Sequence, residues 1–229
     1  MKKIHYLLLT FAAIILMACN ETDTTWDPYH NWAERNAEWY RQVADTARTA
    51  IRQAKAQHGN KWEDHCEWRM YKSLLKAQDH DTQLLTDTVC VRILSRGPHA
   101  GDPAYMPHYT DSVRISYRGW LMQTDYENEE GQLRPQQQVF SQTYYGPFNP
   151  QTAAPSMMAV SSGIEGYSTA LQYMTPDDDW LVYIPQQLAY GATAKGTIPA
   201  YSTLLFRIHL VASYAPGTDV PSWLVAAKK

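Results

Sequence analysis

The chain has 229 residues with a net charge of -3, 19% charged and 12% aromatic residues, and 8 tryptophans and 16 tyrosines. This balance leaves no electrostatic footprint for nucleic acid, and the aromatic content belongs to a folded protein rather than a disordered tether. The length suits one domain of ordinary size plus an accessory segment.

The chain opens with Lys2 and Lys3, runs through an apolar stretch over residues 4–16, and closes on Leu16-Met17-Ala18-Cys19. A charged start, an apolar run too short to span a bilayer and a small residue before a cysteine read as a lipoprotein signal peptide over 1–19, with Cys19 as the lipid-attachment site. An ordinary signal peptide or an uncleaved anchor is the plainer reading. Each buried CH2 of an acyl chain contributes about 0.8 kcal/mol, so a multiply acylated cysteine holds a protein that one chain would not. The expected location is therefore the cell envelope, lipid-anchored to a membrane, at the outer membrane on its periplasmic or surface face. No later apolar run approaches the ~20 residues of a membrane-spanning helix.

Cys66 and Cys90 remain in a compartment where disulfides persist, and they could pair or serve as small buried apolar residues. His58, His65 and Cys66 lie close in sequence, but their spacing fits no zinc pattern. No metal site is expected.

Residues 20–30, polar and containing Pro28, read as a flexible leader. Trp32, Trp39, Val43, Ala47, Ala50, Ile51 and Ala54 then recur at helical spacing between charged residues, which predicts a long amphipathic helix ended at Gly59-Asn60. A second helical stretch is expected over 62–76, with Trp68, Tyr71, Leu74 and Leu75 on one side. These two helices make up a helical accessory segment over 31–80. They could pack on each other, on the following domain, or on a second copy as a homodimer arm.

From Thr86 the period changes to two. Residues 88–94 are strand-like, 96–111 form a loop rich in glycine and proline, and 112–117 alternate so that Val113, Ile115 and Tyr117 share a face. Residues 123–138 read as a polar hairpin excursion, 144–155 as a loop, and 164–174 as one short helix stopped by Thr175-Pro176. Strands follow at 180–184 and 203–211, separated by a loop. Pro216-Gly217 and Pro221 argue against a strand in the tail, 214–229. Several strands and one short helix give an α+β domain.

Five motifs now stand in order: Val113-Arg114-Ile115-Ser116-Tyr117-Arg118-Gly119, Val139-Phe140-Ser141, Gly163-Ile164-Glu165-Gly166-Tyr167, 184–191 with Ile184-Pro185 and Ala189-Tyr190-Gly191, and 198–206 with Ile198-Pro199 and Leu204-Leu205-Phe206. Together they resemble the FK506-binding-protein type of peptidyl-prolyl cis-trans isomerase across 86–213, more than half the chain. The resemblance implies a twisted antiparallel sheet wrapped round one short helix, with an apolar pocket between them. On the matching positions it implies catalytic roles for Tyr117, Phe140, Ile164, Tyr167, Tyr190, Ile198 and Phe206, and substrate contacts for Ser141, Met158, Val160 and Leu204. The Ile164 N–H and the Tyr190 hydroxyl would donate to the bound peptide's carbonyls. Taken singly, each of these aromatic and apolar side chains would read first as core.

The implied reaction is rotation about X–Pro bonds in proline-containing polypeptides, assisting the folding of exported proteins without cofactor or metal. The rotation barrier of about 20 kcal/mol comes from amide double-bond character, so the site must fit a twisted imide and exclude water rather than supply a nucleophile. The sequence departs from the family where Ser141 replaces an aspartate, Tyr167 a tryptophan, Gly163 a valine, Ser156 an apolar residue and Asp177 a glycine. The missing carboxylate leaves the level of activity open. A binding or chaperone module on the same fold, or a subunit of an envelope complex using the helices and the 123–138 hairpin as contact surfaces, are the rival readings.

Overall fold

The computed structural model describes residues 26–76 and 84–221. The expected signal peptide and Cys19 lie outside the described residues. Among those described, no helix is long and apolar enough to cross a membrane.

Helix α1, Trp32–His58, is followed through a short 3-10 turn by α2, Trp62–His65. Strands β1 (Trp68–Lys72), β2 (Thr88–Ser95) and β3 (Ser112–Trp120) come next. The small hairpin of β4 (Thr124–Glu127) and β5 (Leu133–Gln136) leads to β6 (Val139–Gln142) and β7 (Ser156–Ala159). Helix α3, Glu165–Leu171, then precedes β8 (Asp179–Ile184) and the long β9 (Leu204–Tyr214). The main sheet runs β1-β2-β8-β9-β3-β6, with β7 also pairing to β3, and every pairing is antiparallel. This is the expected sheet curled round one short helix.

Alternation along β2 sends its side chains to two different helices, because successive residues of a strand point to opposite faces. Val89, Val91 and Ile93 join the main core with Tyr167, Ala170 and Leu171 of α3. Cys90 points the other way, into a second cluster with Tyr40 and Ala44 of α1. At β2 the two helices therefore lie on opposite faces, while Trp32 and Trp39 of α1 also reach the main core. On β3, Val113 and Ile115 are fully buried and Tyr117 packs against the same core, as the period of two predicts.

The expected helix over 62–76 is corrected. Helical geometry ends at His65, Cys66 is extended, and Trp68–Lys72 pairs residue for residue with Thr88–Arg92. A short apolar run does not distinguish the two periods by itself. Pairing to an open edge decided the matter, and Leu74 and Leu75 lie exposed rather than on a helical face. The sheet thus begins at Trp68, not at Thr86, and the accessory segment is not wholly helical.

Nor does α1 stand apart. The Asn36 side chain donates to Trp32 O at 2.8 Å and accepts from Thr203 N at 2.9 Å; Trp32 Nε1 donates to Ser202 Oγ at 2.9 Å. The Tyr40 hydroxyl donates to the carbonyl of Thr88. Asn36 is fully buried, so these bonds satisfy polar groups that water does not reach. The end of the leader is held as well, with Trp26 Nε1 donating to Asp125 O at 3.0 Å and the Tyr29 hydroxyl to Gln138 Oε1 at 2.7 Å.

The turn between α3 and β8 is built on Asp178, whose buried carboxylate accepts from Thr175 N at 2.7 Å, Thr175 Oγ1 at 3.0 Å and Gly97 N at 2.9 Å. Beside it Asp177 takes φ 71, the left-handed conformation expected where the family places a glycine. Cys66 and Cys90 are both free and buried. Burial pushes the Cys90 thiol up to about 11, so it stays protonated and packs as an apolar group.

Candidate functional site

The open end of α3 and the inner face of the sheet enclose a cavity of about 770 Å³. Tyr117 enters from β3, Phe140 and Ser141 from β6, Met158 from β7, Ile164 and Tyr167 from the start of α3, and Phe206 from β9. Tyr190 and Ile198 come from the loop between β8 and β9. All seven residues expected to be catalytic thus border one cavity, along with Ser141 and Met158.

Two expected substrate contacts are corrected. Val160 and Leu204 are fully buried and do not line the cavity. Leu204 shares the face of Phe206, but it pairs with Ile184 at the end of β8, where the core has closed. Val160 opens a 3-10 turn and its side chain joins the same core.

The walls are set by edge-to-face packing, the preferred arrangement of aromatic quadrupoles. Phe206 lies 5.3 Å from Phe140 at 86° and 4.9 Å from Tyr167 at 76°; Tyr117 meets Tyr167 at 6.3 Å and 79°. Gly119 makes this possible. It pairs with Phe206 across the sheet, and a Cβ there would lie 2.6 Å from Phe140 Cζ and 2.8 Å from Phe206 Cε1. Gly163 has a similar reason: the position a Cβ would take is 3.0 Å from Ser168 Oγ and 3.4 Å from Met158 Cε. Neighbouring side chains already fill the space of the family's valine.

The polar side chains of the lining are hydroxyls and one lysine. The hydroxyls of Tyr117 and Ser141 are hydrogen-bonded at 2.9 Å, on the wall where the family would place a carboxylate. The lining contains no aspartate or glutamate among the described residues, and its one charged group is Lys195. Lys195, Gly196 and Thr197 form the tip of a tight hairpin on the rim, closed by paired bonds between Lys195 and Ile198 at 2.9 and 3.0 Å. Sequence reading missed this tip. Its signal was the glycine after Lys195, which takes φ 57, as such two-residue turns require.

The Tyr167 hydroxyl is buried without a hydrogen-bond partner. Burial first, and the nearby Tyr117 second, raise its ionisation well above the ordinary phenol range, so the group is neutral. An unpaired buried hydroxyl costs about 1 to 3 kcal/mol. Tyr167→Phe is therefore expected to raise stability by about 1 kcal/mol in thermal or urea unfolding. A loss of stability instead would show that the hydroxyl is satisfied in solution.

Residues 104–211 match the family model described as FKBP-type peptidyl-prolyl cis-trans isomerase. Among curated proteins, the chain is 31% identical over 106 residues to the outer membrane protein MIP of Legionella longbeachae, covering 46% of this chain and 37% of that protein. It is 29% identical over 106 residues to the peptidyl-prolyl cis-trans isomerase Mip of Coxiella burnetii, covering 46% and 38%. It is 30% identical over 121 residues to the FKBP-type 22 kDa peptidyl-prolyl cis-trans isomerase of Escherichia coli, covering 52% and 47%. The chain therefore spans less than half the length of these relatives. Motif order, cavity and family match coincide on one stretch of chain, and the domain at residues 104–211 belongs to the FKBP-type peptidyl-prolyl cis-trans isomerase family.

Proposed function

We propose that the protein is an envelope-anchored peptidyl-prolyl cis-trans isomerase that assists the folding of exported proteins. The observation that carries this reading is the aromatic cavity bounded by Tyr117, Phe140, Tyr167, Ile198 and Phe206, lined by one charged group only. The planar amide of an X–Pro bond owes its barrier to charge-separated resonance, which water favours. A dry apolar site that binds the twisted imide more tightly than the planar one lowers that barrier without bond making or breaking. Phe140, Tyr167, Ile198 and Phe206 would hold the proline ring, while the Ile164 N–H and the Tyr190 hydroxyl fix the flanking carbonyls. The curated names of relatives, an outer membrane protein and two isomerases, support the envelope setting and the reaction.

The test is isomerisation of a proline-containing peptide by the full chain, with competition by a ligand of the FK506 type. Tyr190→Phe removes one hydroxyl and keeps the ring, so ligand affinity should fall about tenfold while the unfolding midpoint holds. An unchanged affinity would remove Tyr190 from the site. For anchoring, the parent should partition with membranes and carry acyl mass at Cys19, and Cys19→Ser should remain unprocessed or soluble. Finding the parent in the soluble fraction without acyl mass would reject the anchor.

A second reading, a binding or chaperone module of low isomerase activity, is favoured by one feature: Ser141 and Tyr117 bond to each other where the family would present a carboxylate.

A further inference from the structure

We propose that a cationic cleft between α1 and β1, outside the family domain, binds a phosphate-bearing anion. The cleft encloses about 420 Å³ and shares no lining residue with the aromatic cavity. Arg48, Arg52 and Lys55 line it from α1, at a spacing of four and then three residues that puts them on one helical face. Arg69 meets them from β1. Glu63 is the single acidic residue of the lining, so four cations face one carboxylate.

Arg69 is the observation that sets this cleft apart from an ordinary solvated helix face. Its side chain is only 6% exposed, yet its one carboxylate contact is Glu63 at 3.9 Å, which is itself 60% exposed. The guanidinium hydrogens are directed to the carbonyls of Cys66, Trp68 and Glu63 at 2.7 to 2.9 Å, which satisfies donors without cancelling charge. Arg96 brings a second guanidinium to two of the same carbonyls, donating to Cys66 O at 3.1 Å and to Glu63 O. A buried charge needs a counter-charge. Here the neighbourhood supplies more cations instead.

The alternative role for basic residues near a helix C-terminus is to complement the macrodipole, an effect confined to the last turn. It accounts for Lys55 but not for Arg48 and Arg52, which lie earlier, or for Arg69, which lies on a strand. Arg48 spends part of its charge on Asp45 at 3.4 Å, an exposed and weak pair. Arg52 has no ion-pair partner among the described residues.

The ligand class follows from the shape of this charge. Positive charge converges from a helix on one side and a strand on the other, which suits a multiply charged phosphate better than a singly charged carboxylate. Trp62 forms one wall and is stacked by Lys55 at 4.9 Å and Arg69 at 4.7 Å, holding both cations in place. Ile51 and Met70 add apolar surface beside it, which would take the carbon portion of a phosphate ester. Nucleic acid is disfavoured by the chain's overall charge of -3. Two sources share the chemistry that remains, a free phosphate and a phospholipid headgroup.

The experiment follows the Trp62 indole N–H resonance of the full chain, assigned by Trp62→Phe, during titration with inorganic phosphate and, at matched ionic strength, with chloride. The expected result is a saturable shift with phosphate alone, its midpoint weakened at least about tenfold in the doubly neutralised variant Arg52→Gln, Lys55→Gln. Both positions are exposed and glutamine is a good helix former, so the variant should keep its unfolding midpoint and its rate of peptide isomerisation. Flotation with vesicles of phosphatidylglycerol in phosphatidylcholine, against phosphatidylcholine alone, then separates the sources. Retention that depends on phosphatidylglycerol and falls in the variant assigns the site to a lipid headgroup; equal retention of parent and variant leaves the free anion as ligand. If chloride shifts Trp62 as phosphate does, or if the variant binds phosphate as the parent does, the proposal fails.

Discussion

Replacing Ser141 with aspartate is expected to raise the rate of peptide isomerisation about ten- to a hundredfold. A contact made more strongly in the transition state than in the ground state contributes on the order of 1 to 3 kcal/mol, and each 1.36 kcal/mol is about tenfold in rate. The structure supplies the local partner: the Tyr117 hydroxyl lies 2.9 Å from Ser141 Oγ, so a carboxylate at position 141 would accept a hydrogen bond from the phenol. Ser141 borders the open cavity rather than the sealed core, which keeps the cost of introducing a charge small. The checks are isomerisation rate and unfolding midpoint measured together. A variant that folds normally and gains no activity would mean that the missing acid is not what limits this pocket, and the binding-module reading would take first place.

Phe206→Ala is expected to cost about 3 to 5 kcal/mol of stability and to abolish ligand binding at the cavity. Phe206 is buried at the meeting point of Phe140, Tyr167 and Tyr117, and it pairs across the sheet with Gly119, whose missing side chain admits its ring. Truncation would leave a hole that these rings cannot collapse into without losing their edge-to-face contacts. Phe206→Leu separates the two effects, since it keeps most of the volume and should cost less than about 1.5 kcal/mol. If the leucine variant folds and binds ligand as the parent does, the ring is core and not part of the working surface.

Local signals in the sequence determined much of the fold. Alternation at Val113, Ile115 and Tyr117 marked a half-buried strand, one short helix was expected over 164–174 and spans Glu165–Leu171, and helical spacing from Trp32 to Ala54 marked α1. The family resemblance carried by five motifs in order implied eleven pocket residues, and nine of them line one cavity. What the sequence could not decide depended on partners distant in the chain. Trp68–Lys72 is a strand because β2 offers it an edge, not because its own residues choose that period over a helical one. Helix α1 belongs to the sheet's outer face because Cys90 points outward toward Tyr40 and Ala44 while its neighbours Val89 and Val91 point inward, and because Asn36 finds Thr203 across 167 residues of chain. Val160 and Leu204 have the same apolar character as the residues that line the cavity, and only the depth at which the core closes over them separates packing from contact. The cationic cleft has the same origin. Arg69 becomes a buried charge only when β1 docks beside α1 and brings it against Trp62, a juxtaposition made by tertiary packing and invisible to spacing along either element.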